Sequence, residues 1–490
     1  ARHAQVQKSS GSSSPVFSAK NIKYEVGGRD GGIAMGGIGA VQKFVKKIGL
    51  DKTIDENLHL LKFHKPYHES DHVLNFTYNA LCGGKVIDDI DHMRNDEIFL
   101  DAIGAAAVPD PTTAGDFCRR FKTADLHSFM DIINQKRRDI WAGQNPEFFD
   151  IAKVDADGSI VPTTGETKKG MDISYKGIWG YHPLLISLAN TGEPLFIVNR
   201  SGNVPSHDQA AHYLDKTIAL LKSANFRKIL LRGDTDFSLT AHLDRWDNQG
   251  VYFVFGYDAK KNLIETAELF EEDDWERLCR RADIEFDSDR RKRPINIKED
   301  IVVKRGYENI HLESEDVLDF YYRPIKCEKN YRIVALRKNL RKSKGGQLLF
   351  EDQRYFFYIT NDDSLSMFDV VKEAGDRCNQ ENLIEQQKNG VHAFRAPLDS
   401  LEANWAWMLM SSLAWSLKAW MALTLAASSP KHEKHRQDAN TILRMEFRSF
   451  IQCFMRMPAQ IIKTGRKVVY RLLSWNPTMP IFFRFLDAIT

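Results

Sequence analysis

Only six cysteines occur in 490 residues, and Cys82, Cys118, Cys279, Cys327, Cys378 and Cys453 form no C-x-x-C pair. That scarcity excludes a zinc ribbon and a disulfide framework, and it fits a reducing compartment. Excess charge is missing too. Sixty-eight Lys+Arg against 66 Asp+Glu leave a formal net of +2, so a nucleic-acid partner has to be argued from local charge. The first residues carry no basic-then-apolar leader pattern, which sets the expectation of a cytoplasmic protein. Long apolar runs are absent except at Trp405–Leu425, where Lys418 sits near the middle and Ser411, Ser412 and Ser416 interrupt. A central lysine is costly in lipid, so this run is expected to be a buried or partner-facing helix, with no membrane role. What is present, 43% hydrophobic and 27% charged residues, is the composition of a folded chain.

Patterning along the chain divides it. Residues 1–30, with Ser9-Ser10-Gly11-Ser12-Ser13-Ser14-Pro15, read as a flexible segment. Residues 31–145 read as a helical domain suited to DNA binding or to a scaffold. Val41, Phe44, Val45 and Ile48 repeat at helical spacing, and Asp110-Pro111-Thr112-Thr113 opens a further helix. From Phe149 to Asp157 the period drops to two and the strand ends in acids. Leu184–Leu188 and Leu195–Asn199 flank the turn Asn190-Thr191-Gly192-Glu193, an antiparallel hairpin. A helix (206–224), the buried strand Lys228–Leu231, a short helix (240–246) and the strand Val251–Phe255 follow. Three meandering strands and then helix-linked ones is the order of an α/β, RNase H-like catalytic core, a mixed sheet with flanking helices. That core is expected in two parts, 146–259 and 361–430. A β-rich insertion interrupts it at 260–360, and a basic helical region closes the chain at 431–490.

Three carboxylates stand out by position. Asp157 closes the first core strand, Asp234 follows four apolar residues at the end of the fourth, and Glu381 lies on a helix starting near Ser366. Acids on adjacent strand ends lie close in space, and a helix across the sheet can bring a third. Three convergent carboxylates repel unless cations neutralise them, and oxygen-only ligands favour Mg²⁺ or Mn²⁺. Two such ions can clamp the attacking and leaving oxygens of a phosphoryl transfer. Arg377, Glu381 and Lys388, at i, i+4 and i+11, share one helix face, which suits metal binding beside phosphate contacts. A solvated face of i,i+4 salt bridges has the same spacing.

Four motifs then occur in order: Asp155-Ala156-Asp157-Gly158-Ser159, Gly180-Tyr181-His182-Pro183, Arg232-Gly233-Asp234-Thr235-Asp236-Phe237, and Arg377-Cys378-Asn379-Gln380-Glu381 through Lys388. Together they resemble a DDE transposase of bacterial insertion sequences, in the piggyBac-related subgroup with a β-rich insertion between the second Asp and the Glu. The last motif matches that group's R-x3-E-x6-K. Ala374 stands where the group often has tyrosine, so no tyrosine contact is carried over. The resemblance implies Asp157, Asp234 and Glu381 as catalytic metal ligands for two Mg²⁺ (or Mn²⁺), with Arg377 and Lys388 on DNA phosphates. It implies double-stranded DNA as partner, both the element's terminal inverted repeats and the target, a homodimer, and a bacterial, nucleoid-associated location. Asp155, on the same strand face as Asp157, is expected to support it from behind. Asp236 is the other neighbouring acid and is expected to cap the next helix.

Local charge points the same way. Between Lys431 and Arg471 cations outnumber acids ten to three, and Met445, Phe447, Phe450, Ile451 and Phe454 interleave with them, as on a docked amphipathic helix. Arg444, Arg448, Lys463, Arg466 and Lys467 are the candidate DNA contacts, and Arg290–Arg293 form a second basic cluster. Trp405, Trp407, Trp415 and Trp420 read as core or interface aromatics. Two other functions share these letters. D-x-D-G-[ST] also opens aspartate-nucleophile phosphohydrolases, with Asp155 as nucleophile, and a transposase-derived DNA-binding protein without catalysis keeps the same fold.

Overall fold

The structure, a computed structural model, describes residues 31–279, 308–344, 347–429, 433–464 and 467–490. The segment 1–30 and Arg290–Arg293 lie outside the described residues. The two-residue strand β1 (Gly32–Ile33) precedes a run of helices, among them Ile38–Ile48, Glu69–Leu81, Pro111–Arg120 and Thr123–Trp141. Local chemistry sets their ends. Gly49, at φ 64°, closes the first of these in the left-handed conformation that glycine tolerates. Asp110 accepts from the Thr113 N–H (3.0 Å) and Pro111 occupies the first turn.

Alternation then gives β2 (Ile151–Gly158), whose Ala152, Val154 and Ala156 are fully buried. Short strands β3 (Val161–Pro162), β4 (Asp172–Ile173) and β5 (Trp179–Tyr181) form a small separate sheet. The hairpin β6 (Leu184–Leu188) and β7 (Glu193–Val198) turns through Gly192 at φ 66°. β8 (Lys228–Gly233), β9 (Tyr252–Tyr257), β10 (Glu276–Arg277), β11 (Glu308–Tyr322), β12 (Tyr331–Lys344) and β13 (Gln347–Thr360) complete the large sheet. Its order is β10-β11-β12-β13-β9-β8-β2-β6-β7. β2 pairs parallel with β8 and β8 parallel with β9, while β2, β6 and β7 meander antiparallel. The β-rich segment does not stand apart: β13 pairs antiparallel with β9, Phe357 opposite Tyr257, so it extends the same sheet.

The helix Leu401–Ser428 runs through the interior and is buried from Ala403 to Leu423 on every side. Its four tryptophans belong to the core, and each indole N–H is satisfied: Trp405 by Ile197 O, Trp407 by His392 O, Trp415 by Gly192 O and Trp420 by Glu193 Oε1. No helix among the described residues is long and apolar enough to cross a membrane. Lys418 is buried with its Nζ donating to Leu443 O (3.1 Å) and Met445 O, 3.8 Å from the Trp415 ring centroid.

The expectation of helix to the end of the basic region needs correction. Pro458 follows the wide turn Ile451–Met455, and β14 (Ala459–Lys463) and β15 (Val468–Leu472) then form a hairpin on β1. The physical reason is local: Pro cannot continue a helix, and Ile461-Ile462 and Val468-Val469 favour extended backbone. Phe447, Phe450, Ile451 and Phe454 are buried as the docked-helix pattern requires.

One carboxylate joins three layers. Glu193, fully buried, accepts from Arg137 Nε (3.0 Å), Trp141 Nε1 (3.1 Å), Trp420 Nε1 (2.9 Å) and Thr191 Oγ1 (2.6 Å). Removing one partner of a buried pair strands the other, at a cost of about 3–5 kcal/mol. Glu193→Ala is therefore expected to lower the urea midpoint by that equivalent, and an unchanged midpoint would contradict this reading. Lys418 gives a pH signature, because burial lowers its pKa to about 7. The folded value lies below the unfolded one, so the unfolded chain binds the extra proton and stability rises with pH between the two. From pH 7 to pH 9 the wild type should gain on the order of 2 kcal/mol over Lys418→Met, read from urea midpoints.

Candidate active site

β2 pairs with β6 on one side and β8 on the other, which puts Asp157 opposite Leu185 and Asp155 opposite Ser187 and Arg232. Over this face the chain lays two short helices, Met367–Asp376 and Cys378–Glu385, and then a wider, π-type turn, Gln386–Gly390. The sequence suggested one continuous helix. The structure breaks it at Arg377 and widens it before Lys388, without taking either residue away from the acids.

Asp157 is 17% exposed, and its Oδ2 lies 3.7 Å from Arg377 Nη1. Its pKa is pushed up to about 6, first by burial and then by the negative charges of Asp234 and Glu381, against the pull of Arg377. Asp234 is raised for the same leading reason, burial, and Arg377 is again the main opposing charge. Lys388, half-buried, has its pKa lowered by desolvation, while Glu385 and Asp157 pull it back up. The charges of Asp234, Glu381, Arg377 and Lys388 thus all bear on Asp157. The acids do not close around one point: among the described residues no three His, Cys, Asp or Glu side chains stand together at metal-holding distance. Asp234 Oδ1 accepts from the Asp236 N–H (3.0 Å), Glu381 is exposed, and the Arg377 guanidinium supplies the positive charge.

Deeper support is ionic. Arg232 holds Asp155 with two bonds, Nε to Oδ1 (2.7 Å) and Nη2 to Oδ2 (2.9 Å), and reaches Glu373 Oε2 with Nη1 (2.8 Å). Lys153 also pairs with Glu373. Burial nonetheless raises the Asp155 pKa, with Arg232 opposing. Asp236 differs from expectation: Thr240–Asn248 has Leu239 at its N-cap position and no side-chain cap, and it is Asp234 that caps the turn at Thr235–Phe237.

Sequence reasoning missed two residues that fix the helix. Gln380 is buried, with Nε2 donating to Leu185 O (3.1 Å) and Oε1 accepting from Ser187 Oγ, so the residue before Glu381 is locked to the strand beside Asp157. Glu373 sits four residues before Arg377, a spacing that could have marked it. His182, in the Gly180–Pro183 motif, is a third missed residue. It is buried, bonded to Val204 O (2.9 Å), and lies so close to Gly158 that a Cβ there would come within 2.7 Å of Nε2.

The candidate phosphate contacts divide. Arg448 is exposed on Phe447–Phe450, whose first N–H donates to Gln386 Oε1 (2.9 Å) at the start of the turn that carries Lys388. Arg444 is exposed at the end of Glu433–Arg444. Lys463 and Lys467 stand on the β14–β15 hairpin, where Lys463 pairs with Asp101 of the N-terminal helices. Arg466 lies outside the described residues.

Residues 14–490 match the family model described as transposase DDE domain group 1. No curated protein matches the chain. Among solved structures, the cryo-EM structure of the piggyBac transposase synaptic complex with hairpin DNA is similar at 10% identity and a TM-score of 0.33. It covers 86% of this chain and 88% of that one.

Losing Gln380 should be felt as lost satisfaction of buried polar groups. Gln380→Leu is expected to cost about 1–3 kcal/mol, and adding Ser187→Ala should recover part of it, because the hydroxyl then no longer lacks an acceptor. Strict additivity of the two substitutions in thermal unfolding would refute the coupling.

Proposed function

This chain belongs to the transposase DDE domain group 1 family, and from that premise we propose that it is a metal-dependent transposase of an insertion sequence. It hydrolyses phosphodiester bonds at the element's ends and joins the freed 3′-hydroxyl to target DNA, moving the element by cut and paste. The observation that carries this reading is the Asp157 carboxyl, crowded by the charges of Asp234 and Glu381 and only partly balanced by Arg377. Asp157 and Asp234, two carboxylates that share one guanidinium and offer oxygen donors alone, suit a hard divalent cation, towards which Glu381 would have to turn.

Asp157, Asp234 and Glu381 are the residues that would hold Mg²⁺ or Mn²⁺. Bound there, two such ions would stabilise the charge that develops on the attacking and leaving oxygens. Arg377, whose guanidinium lies 3.7 Å from Asp157 Oδ2, would donate to a phosphate oxygen of the bound strand. Lys388 presents a half-desolvated ammonium to the same strand, where a charge–charge contact is stronger than in water. Water adds to phosphorus and the 3′ oxygen leaves. In the second step that 3′-hydroxyl attacks a target phosphorus in the same sense. Arg444 and Arg448 extend the basic surface, Lys463 and Lys467 form a second one, and Arg466 is assigned to DNA with them from its sequence position alone. Residues 146–259 and 361–430 act as one RNase H-like core around the 260–360 insertion, residues 31–145 and 431–490 contribute to DNA-end recognition, and two copies act together on two ends in the bacterial cytoplasm at the nucleoid. The phosphohydrolase alternative loses its nucleophile, since Asp155 is 1% exposed with both oxygens held by Arg232.

The test is strand cleavage with Mg²⁺ on duplexes carrying the inverted repeats that flank the gene. Asp157→Ala, Asp234→Ala and Glu381→Ala are each expected to lower cleavage at least about a thousandfold, with end-binding affinity changed little. A fully active variant removes that residue from the site. Binding without any metal-stimulated cleavage by the wild type favours the non-catalytic alternative.

A further inference from the structure

Between β2 and β6, the two strands that meet at Asp157, the chain makes an excursion that the function above does not use. Residues 161–181 fold into the sheet β3-β5-β4, with Val161 opposite Tyr181 and Ile173 opposite Trp179. Its base is fixed. The Lys169 N–H donates to Asp399 O (2.8 Å), Tyr181 Oη to Lys169 O (2.9 Å), and Asn203 Nδ2 to Asp172 Oδ2 (2.7 Å). Gly180 lies so close to Val161 that a Cβ would meet its carbonyl oxygen at 2.1 Å. The tip is a tight turn, with Ser174 N–H donating to Ile178 O (2.8 Å) and Gly177 at φ 73°.

That rigid tip holds its large side chains in solvent. Tyr175 is 77% exposed and Trp179 53%, with Ile173 and Ile178 also exposed. The tryptophans of the central helix are buried with their N–H groups bonded, whereas Trp179, like Trp475, is exposed. Cations accompany them: Lys176 Nζ lies 5.3 Å from the Tyr175 ring centroid, and Lys169 is exposed at the base. The excursion leaves β2 just after Gly158 and rejoins the large sheet at β6, and His182, the residue after β5, abuts Gly158 beside Asp157. The base of the flap therefore adjoins the acid end of β2. Aromatic faces interleaved with lysines, next to a site for phosphodiester chemistry, suit unpaired nucleotides, whose bases stack and whose phosphates need counter-charge.

We propose that the 161–181 flap is a single-strand clamp, in which Trp179 and Tyr175 stack on unpaired bases beside the scissile phosphate while Lys176 holds their backbone. This deepens the transposase reading and rests on it. Stacking tolerates any base, so the probes need no known terminal sequence: a 30-base-pair duplex with a four-nucleotide dT tail, and the same duplex blunt. Affinities are measured with the full chain in EDTA, where no cleavage occurs. The wild type is expected to prefer the tailed probe. Trp179→Ala and Tyr175→Ala should each weaken tailed binding by roughly tenfold and leave blunt binding within about twofold, and Trp179→Phe should retain most of the preference. Because both side chains are largely exposed, the variants should keep the wild-type melting temperature. Equal loss on both probes, or loss of self-association with tailed binding intact, overturns the clamp. Failure of the wild type to bind either probe instead sinks the nucleic-acid reading itself.

Discussion

Like charges at the end of a strand repel, and burying them removes the water that would weaken that repulsion. The C-terminal end of β2 carries this burden twice, at Asp155 and Asp157, two residues apart on one face. The surrounding structure answers it in two ways. Asp155 is neutralised outright by a bidentate arginine from the adjacent parallel strand, and that arginine is shared with Glu373, which also takes Lys153. Asp157 is left incompletely matched: one guanidinium at 3.7 Å serves it, and the same group is the main counter-charge of Asp234. A fully satisfied pair specifies structure, whereas a partly matched carboxylate is left open to a further counter-charge. On the function proposed above, the two acids have opposite uses for that reason.

Much of this was legible in the sequence because it depends on short-range pattern. Period-two alternation from Phe149 to Asp157 fixes which side each acid takes, and the Asn190–Glu193 turn fixes the antiparallel pairing of β6 with β7. Apolar Ile229–Leu231 puts Asp234 just beyond a buried strand end. The spacing of Arg377, Glu381 and Lys388 singled out this segment, and Arg377 does lie 3.7 Å from Asp157, while Glu381 stays exposed. What pattern could not carry is anything made by partners far apart in sequence. Gln380 reads as an unremarkable helix polar residue until Leu185 and Ser187 arrive beneath it. Glu193 reads as a turn residue until helices from both ends of the chain close on it. The β14–β15 hairpin was misread because positive charge and aromatics dominated its surroundings, although Pro458 and paired β-branched residues carried the local signal.

The helix that brings Glu381 is not uniform, and its irregularities fall at the residues the proposed chemistry uses. At the break the Arg377 guanidinium faces Asp157, and the wide turn after Glu385 carries Lys388. Between these two irregular points, Gln380, Leu383 and Ile384 are buried and tie the segment to the sheet. A regular helix would give one direction to every functional group on a face. Here backbone departures aim the two cations separately while packing holds the acid between them in register.

Rigidity and exposure are likewise apportioned around the site. The core beneath it is held by groups with every hydrogen bond made, such as Glu193 and the four indoles of the central helix. Above it, the 161–181 flap is equally well anchored at its base, yet it presents Tyr175 and Trp179 to water. Exposed aromatics on a loose loop would collapse onto the nearest apolar surface; on a braced hairpin with a glycine-closed tip they cannot. The hydration cost of those rings persists in the free protein and is relieved only when something planar covers them. That cost has a function only if the covering group arrives with the substrate, which is what the proposed clamp supplies from a flap spliced between the two strands that meet at Asp157.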